Sequence, residues 1–239
     1  MLSVSEMFVS WQGEGFLSGV PSVFVRLAGC HLGCTFCDTT YAQRFRDGER
    51  MESNKILERT LALAATPVFP TVSPEAEVRL QTVAQVRHVV LTGGEPFLFR
   101  GIISLVASLR AHGFHVTIET SGTRFLPVAC DLVSISPKLS NSGVPSWRAS
   151  VEHALPQLLE LGDYQIKFVV DDPRDFEEID IFLRKYTCVE REKVLLMPQG
   201  REKDEISARL VWIETEAQAR NLKITTRGQL FWFDSKRGV

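Results

Sequence analysis

The chain has 239 residues, of which 44% are hydrophobic and 23% charged, and its formal net charge is −2 at pH 7. This composition is ordinary for a globular protein, and it lacks the long basic run with which nucleic-acid binders neutralise phosphates. The N-terminus has no signal-peptide pattern, and no apolar run approaches the ~20 residues that cross a bilayer. We therefore expect a cytoplasmic protein without nucleic-acid or membrane partners, in a compartment that keeps thiols reduced.

Six short runs rich in β-branched residues predict the strands of an α/β domain. They are apolar on both faces, as the strands of a covered parallel sheet are. In chain order they are Ser22–Leu27, His88–Thr92, Phe114–Glu119, Leu132–Ser136, Gln165–Val170 and Val194–Met197.

Amphipathic helical patterns separate these runs. The first has an apolar stripe at Ile102, Leu105, Val106 and Leu109. The second pattern begins at Asp172-Pro173, and its apolar residues are Phe176, Ile179, Ile181, Phe182 and Leu183. The third pattern spans Asp204–Leu222, and its apolar residues are Leu210, Val211 and Ile213. Strands that alternate with helices predict a parallel sheet of βα units, either an open doubly wound sheet or an incomplete barrel.

The segment at about 47–86 is longer than a minimal βα connection. We expect a helix around Ser53–Ala65 and then a loop that contains Pro67, Pro70 and Pro74. Because no linker divides the chain, we expect a single domain over 1–239 with this segment inserted.

Glycines and polar residues follow the predicted strands. Parallel βα folds place their chemistry at the C-terminal ends of the strands, so these residues predict an active site at that rim of the sheet. The segments are 28–39, 92–96, 119–123, 136–138 and 197–200.

Three of the five cysteines, Cys30, Cys34 and Cys37, form a C-x3-C-x2-C pattern after the first predicted strand. Thiolates so close together on a glycine-containing loop suit an iron–sulfur cluster or a metal. Three ligands on a [4Fe–4S] cluster leave one iron open, and S-adenosylmethionine can chelate that iron through its amino and carboxylate groups.

The alternative is a structural zinc ion. Its fourth ligand would be His31, Asp38, Cys130 or Cys188. We expect Cys130 and Cys188 to be buried thiols within or near core elements.

The motif Gly93-Gly94-Glu95-Pro96 follows the second predicted strand. Two glycines there let the backbone approach a ligand closely. The alternative is a strand-to-helix turn that places Glu95 near the start of the next helix.

Together, the cysteine pattern and the Gly-Gly-Glu-Pro motif resemble the radical S-adenosylmethionine superfamily. The resemblance implies a partial (β/α)6 barrel with parallel strands, in which the backbone of 93–96 holds the methionine amino group. Further segments, 11–15, 25–30, 37–39 and 136–138, resemble the 7-carboxy-7-deazaguanine synthase family across nearly the whole chain. That resemblance implies a carbon–nitrogen lyase that rearranges 6-carboxy-5,6,7,8-tetrahydropterin into 7-carboxy-7-deazaguanine, with loss of ammonia, on the route to queuosine and other deazaguanine nucleosides.

The family resemblance also implies roles for individual residues. The substrate would contact Trp11, Gln12, Gly13, Arg26, Thr92 and Val239 at the C-terminus. S-adenosylmethionine would contact Phe36, Cys37, Asp38, Gly94, Glu119, Ser136, Pro137, Lys138 and Gln199. Thr39 would supply a hydroxyl to Mg²⁺, which prefers oxygen ligands.

Several of these residues have ordinary structural alternatives. Arg26 would then form an ion pair, Trp11 would belong to the core, Thr39 would cap a turn and Lys138 would be a solvated charge. One position departs from the family pattern, which commonly has Asn where Ser121 stands.

Two other functions compete with this one. An activase that makes a glycyl radical on a partner protein would share the cluster and 93–96 but would need no pterin pocket. A zinc-stabilised binding module would be colourless and would leave 93–96 unexplained. The resemblance further implies an electron donor such as a flavodoxin or ferredoxin, and a homodimer.

Overall fold

The computed structural model describes residues 1–66 and 85–233. In those ranges nine strands form one mixed sheet: β1 (Leu2–Trp11), β2 (Pro21–Leu27), β3 (Glu49–Met51), β4 (His88–Gly93), β5 (His115–Thr120), β6 (Leu132–Ile135), β7 (Asp163–Val170), β8 (Val194–Pro198) and β9 (Lys223–Ile224). The six strands predicted from sequence are β2 and β4 to β8, each within two residues of its predicted bounds.

The strand order is β3-β1-β2-β4-β5-β6-β7-β8-β9. Every neighbouring pair from β2 to β9 is parallel, whereas β1 runs antiparallel to both β2 and β3. The predicted α/β class and mainly parallel sheet are therefore confirmed. Because parallel strands end at the same edge, the loops that follow β2 and β4 to β8 meet along one rim.

Seven helices occur in the described ranges: α1 (Ser53–Ala64), α2 (Ile102–Ala111), α3 (Ser146–Ala149), α4 (Leu155–Leu158), α5 (Asp175–Lys185), α6 (Lys203–Arg220) and α7 (Gly228–Phe233). The four longer ones, α1, α2, α5 and α6, confirm the helices predicted from periodicity. Two residues counted as apolar contacts, Ile181 and Val211, are instead exposed. On α5 the buried face passes through Phe176, Ile179 and Leu183, and Ile181 lies off that face.

The helices cover one face of the sheet: α1 packs on β1 and β2, α2 on β5, α5 on β7 and α6 on β8. The apolar stripe of α2 is fully buried there. The other face is polar toward the carboxyl ends of the strands, where Arg26, Thr92, Glu119, Ser134 and Lys167 line a cavity. The expectation that the strands are apolar on both faces was wrong at this end of the sheet, because the polar side chains there find hydrogen-bond or ion-pair partners beside the cavity.

The inserted loop with Pro67, Pro70 and Pro74 lies outside the described residues. Among the helices of the described part of the chain, none is both long and apolar enough to cross a membrane.

Candidate active site

One cavity of about 570 Å³ opens at the C-terminal rim of the sheet. This volume is within the range that holds small molecules and cofactors. Its wall combines side chains of β1 and of the parallel strands with the loops that follow β2 and β4 and with residues near α7. Most of the residues singled out from the sequence line it: Trp11, Gln12, Gly13, Arg26, Cys30, Cys34, Phe36, Cys37, Asp38, Thr39, Thr92, Gly94, Glu119, Ser136 and Lys138.

Three predicted site residues are not among those that line the cavity. Pro137 lies between two lining residues, Ser136 and Lys138, and Gln199 follows β8 directly. Val239 lies outside the described residues.

The three clustered thiols all face this cavity. Burial raises the pKa of Cys30 and of Cys34. The two remaining cysteines lie elsewhere: Cys130 is buried just before β6, at the opposite end of the strands, and Cys188 is exposed. The expectation that Cys188 is buried was therefore wrong, because it follows the end of α5 in a surface turn.

The loop after β4 packs directly on the loop of the cysteines. The Gly94 amide donates to the Leu27 carbonyl at 2.7 Å, and the Glu95 amide donates to the Gly29 carbonyl at 2.8 Å. A Cβ added at Gly94 would lie 2.0 Å from that Gly29 oxygen. The second glycine of the motif is thus required for the two loops to approach each other.

Glu95 is buried just after β4, at the start of the short 3-10 turn Pro96–Leu98, as the alternative interpretation of the motif expected. Its carboxylate accepts hydrogen bonds from the Thr120 hydroxyl at 2.7 Å, the Ser121 amide at 2.9 Å and the Phe97 amide at 3.2 Å. The carboxylate therefore ties the end of β4 to the end of β5 and caps the short turn at Pro96–Leu98.

A chain of side-chain hydrogen bonds continues from Glu95 to the cysteine loop. The Ser121 hydroxyl bonds to Glu95 and to the Thr123 hydroxyl, which lies 2.9 Å from Nε2 of His31. His31 stands between Cys30 and Cys34 in sequence. This chain fixes the position of the cysteine loop relative to β5.

Two of the residues predicted for the substrate bond to Glu119 on β5. Gln12 Nε2 donates to its carboxylate at 3.2 Å, and the Thr92 hydroxyl donates to it at 2.8 Å. The Trp11 ring is buried against Phe233, but its Nε1 has no hydrogen-bond partner among the described residues. A buried donor without a partner at the wall of a cavity fits a site for a polar ligand.

Arg26 on β2 forms an ion pair across the sheet. Its Nε lies 2.7 Å from Oε1 of Glu6 on β1, and the Tyr41 hydroxyl donates to the same oxygen at 2.8 Å. The ion pair that sequence reasoning offered as the alternative role of Arg26 is therefore present, and both partners line the cavity.

Thr39 and Lys138 lie at the side of the cavity nearest the thiols. The Thr39 hydroxyl is 3.7 Å from Cys37 Sγ, and it does not cap the turn that begins at Thr40. Lys138 donates to Ser136 Oγ at 2.8 Å, and burial lowers its pKa. In the described ranges no three side chains of His, Cys, Asp or Glu form a site for a single metal ion.

Sequence reasoning missed a second group of charged residues in the cavity. Lys167 on β7 is buried and lies 2.7 Å from Glu14 and 3.5 Å from Glu119. Arg227, just before α7, lies 3.7 Å from Glu14 and 3.3 Å from Asp38. The sequence did contain a signal, because Lys167 lies inside the apolar run 166–170. A lysine within a buried strand needs a partner of opposite charge, since an unpaired lysine is almost never buried.

These cations determine the charge of Glu14. Burial by itself would raise its pKa, but Lys167 and Arg227 outweigh burial and lower the pKa to about 2. Burial would likewise lower the pKa of Lys167, and Glu119 and Glu14 outweigh it and raise that pKa. Both partners are therefore charged at neutral pH.

Comparison with known proteins adds the family. Residues 25–168 match the model of the radical SAM superfamily. The chain is 39% identical to the 7-carboxy-7-deazaguanine synthase of Rhodopirellula baltica over 250 residues, which cover 100% of this chain and 89% of that protein. It is 34% identical to the synthase of the same name in Escherichia coli, covering 93% and 94%. The crystal structure of QueE from Escherichia coli superimposes with a TM-score of 0.65 at 30% identity and covers 95% of this chain and 94% of that one.

The chain belongs to the radical SAM superfamily and, within it, to the family of 7-carboxy-7-deazaguanine synthases.

Proposed function

We propose that the chain is a lyase that converts 6-carboxy-5,6,7,8-tetrahydropterin into 7-carboxy-7-deazaguanine with release of ammonia, in 7-deazapurine biosynthesis. The observation that carries this proposal is the similarity to enzymes of that name over the whole chain. The two alternatives, a glycyl-radical activase and a zinc-stabilised module, have no support from the comparisons.

The thiols of Cys30, Cys34 and Cys37 fit the three ligands of a [4Fe–4S] cluster, since all three face the same cavity. When bound, the cluster and S-adenosylmethionine supply hydrogen-atom abstraction by a carbon radical. S-adenosylmethionine would lie against the loops of this side, which offer it six of the residues predicted for it: Phe36, Cys37, Asp38, Gly94, Ser136 and Lys138. Pro137 and Gln199 remain predictions for its more distant parts.

The pterin would occupy the side of the cavity that is formed by 11–14 and Thr92. We assign Glu119 to this side rather than to S-adenosylmethionine, because its hydrogen bonds come from Gln12 and Thr92. Arg26 would bind the substrate carboxylate through the N–H edge of its guanidinium that Glu6 does not use. Val239 remains a prediction for the same substrate.

Thr39 would contribute one oxygen to Mg²⁺, with the substrate and water completing the coordination. Its hydroxyl caps no turn and lies on the cavity wall, 3.7 Å from Cys37 Sγ. We further propose that six of the parallel strands, β2 and β4 to β8, form a partial (β/α)6 barrel within one domain over 1–239. The active protein would be a cytoplasmic homodimer that is reduced by a flavodoxin or ferredoxin.

Anaerobic reconstitution with iron and sulfide, followed by incubation with S-adenosylmethionine, reductant and the carboxytetrahydropterin, tests the function. We expect a product with the mass of 7-carboxy-7-deazaguanine and no requirement for a partner protein, which an activase would need. Cys34→Ala should remove both the brown colour and the product, while Cys188→Ala, a change at an exposed thiol, should remove neither. A reconstituted, brown wild-type protein that forms no such product would contradict the proposal.

A further inference from the structure

Lys167 is the buried cation that joins two carboxylates of the cavity. Its side chain is 5% exposed, and its Nζ lies 2.7 Å from Glu14 Oε2 and 3.5 Å from Glu119 Oε1. Because both oxygens lie within 3.5 Å of one nitrogen, the two carboxylates are near neighbours. An ammonium has three N–H donors and no acceptor, so Lys167 can hold both carboxylates at once.

Each carboxylate is also fixed from its other side. Glu14 Oε1 accepts from Gln229 Nε2 at 3.0 Å, and Glu119 Oε2 accepts from the Thr92 hydroxyl at 2.8 Å. Glu14 comes from the loop after β1 and Glu119 from β5, so Lys167 on β7 connects elements that are far apart in sequence.

We propose that Lys167 is a positioning residue, which holds Glu14 and Glu119 side by side as charged hydrogen-bond acceptors for the N–H edge of the substrate. This inference rests on the proposed function. The pyrimidine edge of a pterin carries an amino group and a ring N–H, and adjacent carboxylates are suited to accept from such donors. Lys167 itself uses its N–H groups on the carboxylates and leaves their remaining lone pairs to the ligand.

Removal of the ammonium would leave two partly buried carboxylates side by side without the cation that lies between them. Like charges at this range disfavour joint ionisation, so the pair would take up a proton, as carboxylate pairs do. Two other charged groups face this pair. Arg227 forms ion pairs with both Glu14 and Asp38, and the charge of Lys167 helps to lower the pKa of Lys138. Arg227 contacts only Glu14 of the pair within the described residues, so it does not replace Lys167 at Glu119.

The test is the affinity for carboxytetrahydropterin, measured by anaerobic calorimetry on cluster-loaded enzyme with S-adenosylmethionine and without reductant, from pH 6.5 to 8.5. We expect Lys167→Met to bind at least tenfold more weakly than wild type at pH 6.5 and to recover affinity as pH rises, because the shared proton leaves. Lys167→Gln, which keeps a donor but no charge, should show the same pH dependence. Lys167→Arg should bind with intermediate affinity and a flat profile, since it keeps the charge.

Two controls separate positioning from general damage. The double variant Glu14→Gln with Lys167→Met has one carboxylate fewer and should lose the pH dependence. Lys185→Met removes an exposed ion-paired lysine on α5 outside the cavity and should bind like wild type. Affinity for S-adenosylmethionine should be unchanged in every variant.

Two results would overturn this inference and leave the proposed function intact. One is wild-type affinity in Lys167→Met. The other is weak binding in both Lys167→Met and Lys167→Gln with the same pH profile as wild type. If the wild-type enzyme binds no carboxytetrahydropterin, the proposed function fails, and this inference fails with it.

Discussion

Glu95 and Ser121 are joined by two hydrogen bonds, because the carboxylate accepts both the backbone amide of Ser121 at 2.9 Å and its hydroxyl at 2.5 Å. The two residues lie in the loops after β4 and β5, which converge beside the thiols. In this chain the acidic residue of the Gly-Gly-Glu-Pro motif therefore stabilises the loops that form the rim of the sheet. It holds the rim together while the glycines set the distance between the loops.

The first prediction concerns Glu95→Gln. Glutamine replaces one acceptor oxygen by an NH2 group, which would face N–H and O–H donors. Buried donors left without a partner cost about 1–3 kcal/mol. We expect a loss of about 2 kcal/mol in the free energy of unfolding, measured by urea denaturation. Ser121→Ala removes only the hydroxyl and keeps the amide bond, so it should cost about 1 kcal/mol. Equal stability of wild type and Glu95→Gln would contradict the role of this carboxylate.

The second prediction concerns Gly94→Ala. The added methyl would lie 2.0 Å from the carbonyl oxygen of Gly29, and its three nearest atoms all belong to the Gly29 backbone, which cannot rotate away as a flexible side chain would. We expect the cysteine loop to shift, which should lower cluster occupancy well below one per chain after reconstitution, as measured by iron and sulfide content. Gly33→Ala is the matched control within the cysteine loop, because a Cβ there meets no atom within 4 Å, although its φ of +72° adds backbone strain. Full cluster occupancy in Gly94→Ala would show that the loops do not depend on this contact.

The third prediction concerns Arg26. Arg26→Lys keeps the charge but loses the planar guanidinium, which can bond Glu6 through one edge and a carboxylate through another. We expect KM for the pterin to rise about tenfold, with reductive cleavage of S-adenosylmethionine largely retained. Glu6→Gln, which perturbs the ion pair but leaves the guanidinium in place, should raise KM less. If Arg26→Lys turns over with wild-type KM, Arg26 serves only the ion pair.

The fourth prediction concerns Thr39 and Mg²⁺. The hydroxyl lies 3.7 Å from Cys37 Sγ, so a cation bound there would stand beside the cluster and the substrate. A misplacement of ~1 Å can cost about a hundredfold in rate, and Thr39→Ala should therefore lower product formation and its Mg²⁺ response while the brown colour remains. Thr39→Ser should keep part of both. The measurement is a Mg²⁺ titration of turnover in chelator-treated buffer, and identical curves for wild type and the Ala variant would remove Thr39 from the metal site.

The sequence by itself determined the parallel strands, the longer helices and the rim where chemistry gathers. These features depend on local periodicity and on motifs of a few adjacent residues, such as 30–37 and 93–96. The hydrophobic pattern of each strand specifies its own span, and the shared direction of parallel strands brings their ends together. For the same reason most of the residues predicted for the site line one cavity.

Only the tertiary structure decided which polar side chains meet across that rim. Lys167 and Glu14 are separated by 153 positions and pair because β7 and the loop after β1 approach each other through the sheet order. The antiparallel β1, which gives Glu6 to Arg26, joins the sheet by pairing with β2, and its own alternating residues do not reveal that partner. Whether a side chain is buried also depends on everything that packs around it. Lys167 stays charged inside the cavity because Glu14 and Glu119 lie beside it, whereas Cys188 is exposed because it falls in a surface turn.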